Sequence, residues 1–174
     1  MTNFARLATA TAALASLALV ATPALAAPVG ATTPATAKAQ IVKPLTLTAK
    51  QNLDFGTIVL TAVTGATSVA VSTAGAVTCG AGLTCSGTPK QAIYNVAGTN
   101  NQVVKIFSAT STLINANDST TIVFTPALPV GASVTLTNSG APGTDFNVGG
   151  SIALGTATTD GVYTGNMNVT VDYN

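Results

Sequence analysis

The sequence predicts an all-β sandwich with an N-terminal extension. Three observations carry that fold class. Short runs of strand-forming residues recur about every ten positions, separated by clusters of Gly, Asn, Asp, Ser and Pro. No stretch beyond residue 26 repeats its apolar residues at the helical period. In the final stretch, Gly161 to Asn174, the residues Tyr163, Met167, Val169, Val171 and Tyr173 fall on odd positions and polar residues fill most even ones. That is the period of a strand with one buried face and one wet face. A strand of this kind at the C-terminus is either a closing strand or an edge left for another chain.

The elements follow in order. Arg6 precedes an apolar run from Leu7 to Val20, Thr22-Pro23 breaks it, and Ala24-Leu25-Ala26 has the small-x-small pattern of a cleavage site. Residues 1–26 are therefore expected to be a secretory signal peptide cut after Ala26. The run is too short and too rich in alanine for a membrane anchor, and no second run follows, so no membrane span is expected after cleavage. Residues 27–40 (APVGATTPATAKAQ) are small and polar, with two prolines. They cannot bury enough apolar area to order themselves, so they form a linker or become ordered on a partner. A sandwich domain is expected over 41–174. Its first strand is Ile41–Thr48, confined by Pro44 to an edge or a bulge. Leu53–Leu60 is the second, and others fall near 68–72, 76–79, 91–97, 102–108, 120–125, 133–137, 146–154 and 162–173. Asp160-Gly161 reads as a hairpin turn before the last of these.

Composition excludes several functions. Five lysines balance five aspartates after residue 26, and the chain has no histidine, glutamate or tryptophan. Scattered lysines cannot build a basic patch, so nucleic acid is not an expected partner. Without histidine there is no Ser-His or Cys-His pair, so no catalytic residues and no enzyme are expected. Asp118, Asp145 and Asp160 sit in turn-like contexts and read as turn stabilisers, while Asp54 is placed to accept backbone hydrogen bonds. No cofactor and no metal is expected. The near-neutral surface of Thr, Ser, Asn and Gly offers little charge repulsion between copies, which suits a protein that packs against itself. Cys79 and Cys85 flank Gly80-Ala-Gly-Leu-Thr84, and in an exported chain they predict a disulfide closing a short hairpin loop. A metal pair would lack further ligands.

Leu53-Asp-Phe-Gly-Thr-Ile58 after Pro44-Leu-Thr-Leu-Thr48, then Val148-Gly-Gly-Ser-Ile152, then Gly161-Val-Tyr-Thr-Gly165 leading into Val169–Asn174, resemble an exported bacterial family of unknown function. That family is similar to the major subunits of common-pilus (Mat/Ecp-type) fimbriae and, more distantly, to spore-coat protein U pilins. The resemblance spans about Ile41 to Asn174. It implies an immunoglobulin-like β-sandwich of pilin type that lacks one strand, completed by an N-terminal extension from the next subunit. Pilins carry a penultimate tyrosine and a glycine fourteen places from the end, which Tyr173 and Gly161 match.

The resemblance further implies that the C-terminal strand docks on a periplasmic chaperone, that an outer-membrane usher assembles the subunits, and that residues near 29–42 are the donor. Within that donor Ala35, Ala37, Ala39 and Ile41 alternate with mostly polar neighbours, and its anchoring extends to Leu45 and Leu47 if the alanines hold weakly. The expected function is a structural subunit of a surface fimbria, contributing to adhesion or biofilm. The expected location is the periplasm in transit, then the surface of a Gram-negative bacterium. The alternative is a self-contained, secreted binding module for carbohydrate or cell surface, with Tyr94, Phe107 and Tyr163 free to stack on a ligand.

Overall fold

A computed structural model describes residues 27–174; the signal peptide expected over 1–26 lies outside the described residues. The chain divides into two units, Met1–Ala39 and Gln40–Asn174. In the first, residues 27–39 form no strand and their side chains are exposed. In the second, strands account for nearly all regular structure. They are β1 (Thr46–Gln51), β2 (Thr57–Leu60), β3 (Thr67–Val71), β4 (Val77–Cys79), β5 (Leu83–Ser86), β6 (Ala92–Ala97), β7 (Val103–Ser108), β8 (Ser111–Asn115), β9 (Thr121–Ala127), β10 (Ser133–Thr135), β11 (Thr144–Leu154), β12 (Tyr163–Thr164) and β13 (Val169–Tyr173). A single 3-10 turn, Val130–Ala132, precedes β10. Among the described residues no helix is long and apolar enough to cross a membrane.

The organising element is β11. Its even residues Phe146, Val148, Ile152 and Leu154 are all buried, so one apolar face runs the whole strand. Its first half pairs with β6, its second half with β3, and β9 lies against Gly149–Ile152 on the other edge. At about 3.3 Å per residue the strand is long enough to belong to two cores. The one around Val96, Val104, Ile106, Leu136 and Val148 lies between β1-β6-β11 and the separate sheet β10-β7-β13. The other, around Val69, Ile122, Phe124, Ile152 and Leu154, also packs against Ile58, Leu83 and Cys85 of the β2-β5 pair. Gly150 is where the chain cannot carry a side chain, because a Cβ there would run into the Phe124 ring.

All strand pairs are antiparallel, as expected of a sandwich, yet several local expectations are corrected. The first strand starts at Thr46, not Ile41, and Leu45 and Leu47 pack in their own domain's core rather than serving as donor anchors. The C-terminal stretch is two strands in different sheets: β12 pairs with β8, and β13 pairs with β7. Asp160-Gly161 is therefore not a hairpin turn, since β11 and β12 are not neighbours. Asp145 is no turn residue; it lies in β11 and binds Lys50.

Cys79 and Cys85 are bonded, with Cα atoms 6.1 Å apart. They do not close a hairpin: β4 pairs with β3 and β5 with β2, so the bond ties the main sheet to the small one. Asp54 does accept a backbone hydrogen bond, from Gly56 N–H at 2.8 Å, and Asp118 accepts from Thr120 N–H at 2.9 Å and from its hydroxyl at 2.6 Å. These bonds, led by the Thr120 hydroxyl, hold the Asp118 carboxyl below its ordinary range.

Candidate functional site

Strand β13 has one satisfied edge. Val169 through Tyr173 pair with Ser108 through Val104, and Asn174 N–H donates to Val103 O at 3.1 Å. That last bond sets the phase of the ladder. In an antiparallel pair, alternate residues bond to the partner. Thr170 and Asp172 therefore turn their N–H and C=O to β7, and Val169, Val171 and Tyr173 turn theirs away from it. Among the described residues no strand pairs with that outer edge. The side chains of Val169, Val171 and Tyr173 point to the core but are only half-buried, whereas Val104 and Ile106 beside them on β7 are fully buried.

Strand β1 is the matching rim in the opposite sheet. It pairs with β6 alone, with a register shift between Ala49 and Gln51, and its Leu47 packs on the same core. Hydrogen bonds place the two rims relative to each other at both ends. Tyr173 donates its hydroxyl to Lys43 O at 2.6 Å, just before β1. At the far end Tyr94, opposite Ala49, donates to Met167 O at 3.4 Å, just before β13. The rims thus run antiparallel, with an apolar floor between them. Tyr94 also stacks on Phe146, at 5.7 Å between ring centres and 16° between planes, and burial raises its hydroxyl pKa. It is part of the floor rather than a free stacking surface.

The other expected site residues are dispersed. Ala35, Ala37, Ala39 and Ile41 lie outside any strand, and Ile41 is 91% exposed. Gly161 and Tyr163 sit in a polar corner under the other half of the domain. Its centre is Asn115, 1% exposed, which donates to Asp160 O at 2.9 Å and accepts from Asn117 N–H at 3.0 Å. Gly161, at φ +143°, lies on the Asn115 side chain with no room for a Cβ. The Tyr163 hydroxyl donates to Thr159 O at 3.0 Å, and its hydrogen bonds with Thr120 and then Thr159 lower its pKa. It too is committed to structure. Phe107, on the outer face of β7, is 52% exposed. Met167 touches both cores and sits where the chain passes from one sheet to the other.

Three contributors to the groove were not anticipated: Lys43, Gly98 and Thr99. A Cβ on Gly98 would lie 2.5 Å from the Tyr173 hydroxyl and 2.7 Å from Leu45 Cδ2, so glycine is what lets Tyr173 seat there. Gly98-Thr-Asn-Asn101 reads only as a turn cluster in sequence, with nothing to connect it to residue 173.

No characterised protein and no solved structure matches the chain. One family model does, described as a domain of unknown function (DUF4402), over residues 45–173. Those bounds take in the sheets, both cores and the two rims of the groove, and the chain belongs to the DUF4402 family.

Proposed function

We propose that this chain is a structural subunit that polymerises without covalent bonds, its groove between β1 and β13 receiving an extended segment from a second copy. One observation supports this above the others. The backbone groups of Val169, Val171 and Tyr173 face outward and unpaired beside a half-buried apolar face. Such an edge is a template for strand addition. An added strand would satisfy those groups and cover Val169 and Val171 together. On this reading the sandwich is of the immunoglobulin-like pilin type, short of one strand.

The donor is the segment from about Val29 to Ile41. Main-chain hydrogen bonds supply most of its affinity, Ala35, Ala37 and Ala39 fit a shallow floor, and Ile41 is its one large apolar anchor. A periplasmic chaperone covers the open edge before assembly and an outer-membrane usher orders the subunits. The product is a surface fimbria that serves adhesion or biofilm formation, with no catalytic role.

The test is assembly. Ile41→Asp places an unpaired carboxylate in an apolar groove and is expected to stop polymer formation while leaving the domain folded. Deleting residues 27–40 is expected to do the same. Normal polymers from the deleted chain would replace this reading with the self-contained binding module.

A further inference from the structure

Lys43 is held on both sides of its backbone. Its N–H donates to Thr99 Oγ1 at 2.6 Å, and its C=O accepts from the Tyr173 hydroxyl at 2.6 Å. Tyr173 in turn accepts from Thr99 N–H at 2.9 Å. Gln40 continues the line, its side-chain amide donating to Gln102 Oε1 at 2.8 Å. Residues 40–43 therefore lie across the Thr99–Gln102 turn at the end of the sandwich, and they do not enter the groove.

From this geometry we propose that Tyr173 is a clasp that chooses the groove's occupant. It holds residues 40–42 away from their own domain's groove and leaves that groove for a second copy. The proposal rests on the strand-acceptor reading above. For the chain to fill its own groove, Ile41 would have to turn back beside Val171. The reversal would fall between Ile41 and Leu45, because Leu45 is already packed in the core. Pro44 restricts rotation there. A tight reversal turns at two central residues, here Val42 and Lys43, and Lys43 has both its backbone groups bonded. Turning it breaks the bond to Tyr173, the bond to Thr99, or both. The same hydroxyl that closes one end of the groove thus makes self-insertion unfavourable.

The experiment compares the full chain with Tyr173→Phe and Thr99→Ala, each with and without residues 27–40. Assembled material is dissociated, allowed to reassemble over a range of concentrations, and separated by size; the monomer fraction is then melted. Removing one hydrogen bond of ordinary strength is expected to raise the self-inserted monomer about fivefold relative to wild type. That monomer should persist as concentration rises and melt higher than the same variant lacking residues 27–40. Both variants assembling in the wild-type proportion would overturn the clasp and leave the strand-acceptor reading intact. Extra monomer whose melting is unchanged by removing 27–40 would also overturn it. A wild-type chain whose size and melting do not respond to removal of 27–40 would remove the strand-acceptor reading, and the clasp with it.

Discussion

Around Phe124, the inner faces of β3, β9 and the second half of β11 meet a lid. Ile58, Leu83 and Cys85 close over them, Phe55 stands edge-on to Phe124 at 6.3 Å, and the Cys79–Cys85 bond joins lid to sheet. Around Val104 and Ile106 the same kind of residues, in the same kind of strands, meet two rims with no strand between them among the described residues. One half of the domain has its edges tied down by a disulfide and by the polar corner at Asn115. The other half has backbone groups of β13 turned outward and side chains half-buried. Both halves have apolar cores and edge strands; they differ in what lies over the inner face, which the β2-β5 pair covers in one half and the two rims leave half-buried in the other.

The contrast can be broken most directly by truncation in each half. Phe124→Ala is expected to cost about 3–5 kcal/mol in urea unfolding, with or without assembly. Val171→Ala is expected to cost under about 1.5 kcal/mol in the lone subunit, because its side chain is only partly withdrawn from water, and distinctly more once assembled. Equal losses in the lone subunit would mean the groove is already covered.

Next in size is Asn115→Ala, expected to cost about 2–3 kcal/mol. It removes the hydrogen bonds to the Asp160 carbonyl and the Asn117 N–H and leaves a cavity where the buried Asn115 side chain sat. Amide exchange should quicken at Tyr163 and stay unchanged through β13. A uniform increase across both strands would show that the two halves unfold as one.

Replacing Cys79 and Cys85 by serine is expected to cost roughly 2 kcal/mol at most, since the closed loop is short. Exchange should rise in Leu83–Ser86, the lid strand, and leave the groove rims as they were.

The smallest effect is electrostatic and belongs to the open half. Lys50 on β1 binds Asp145 on β11 at 2.8 Å, and it, followed by Asn95, holds the Asp145 carboxyl below its ordinary range. A carboxyl with a lowered folded-state pKa stabilises the fold above its unfolded pKa, near pH 4. That stability is lost as pH falls through the lowered value. Both side chains are about half exposed, so solvent weakens the pair. Lys50→Gln should flatten part of the fall in melting temperature below pH 4. Asp118, lowered by Thr120 in the other half, and the Asn95 contact left on Asp145 should supply the remainder. An unaltered acid profile in Lys50→Gln would show that the Lys50 contact contributes nothing to the slope.

Much of the fold was legible because alternation is a local signal. Phe146 to Leu154 and Val169 to Tyr173 each present one apolar face, and the structure buries that face in β11 and turns it to the core in β13. The stretches Leu83–Ser86 and Ser111–Asn115 escaped as strands. The first is hidden within the cysteine loop and the second runs into the Asn115–Asp118 turn cluster. The cysteine pair was legible from two cysteines in a chain expected to be exported, but the two sheets it joins were not.

By itself, then, the sequence determined that this is a β protein, which residues face inward along most strands, and that no histidine-based chemistry is present. Only the tertiary structure decided that Tyr163 and Tyr173 belong to different sheets, that Lys43 and Thr99 meet Tyr173, and that β1 and β13 are the rims left open. The reason is physical. Side-chain alternation reports the two faces of a strand, and those faces differ in chemistry. The two edges of a strand carry the same backbone N–H and C=O groups whatever the residues are. Which edge finds a partner is settled by the path of the whole chain.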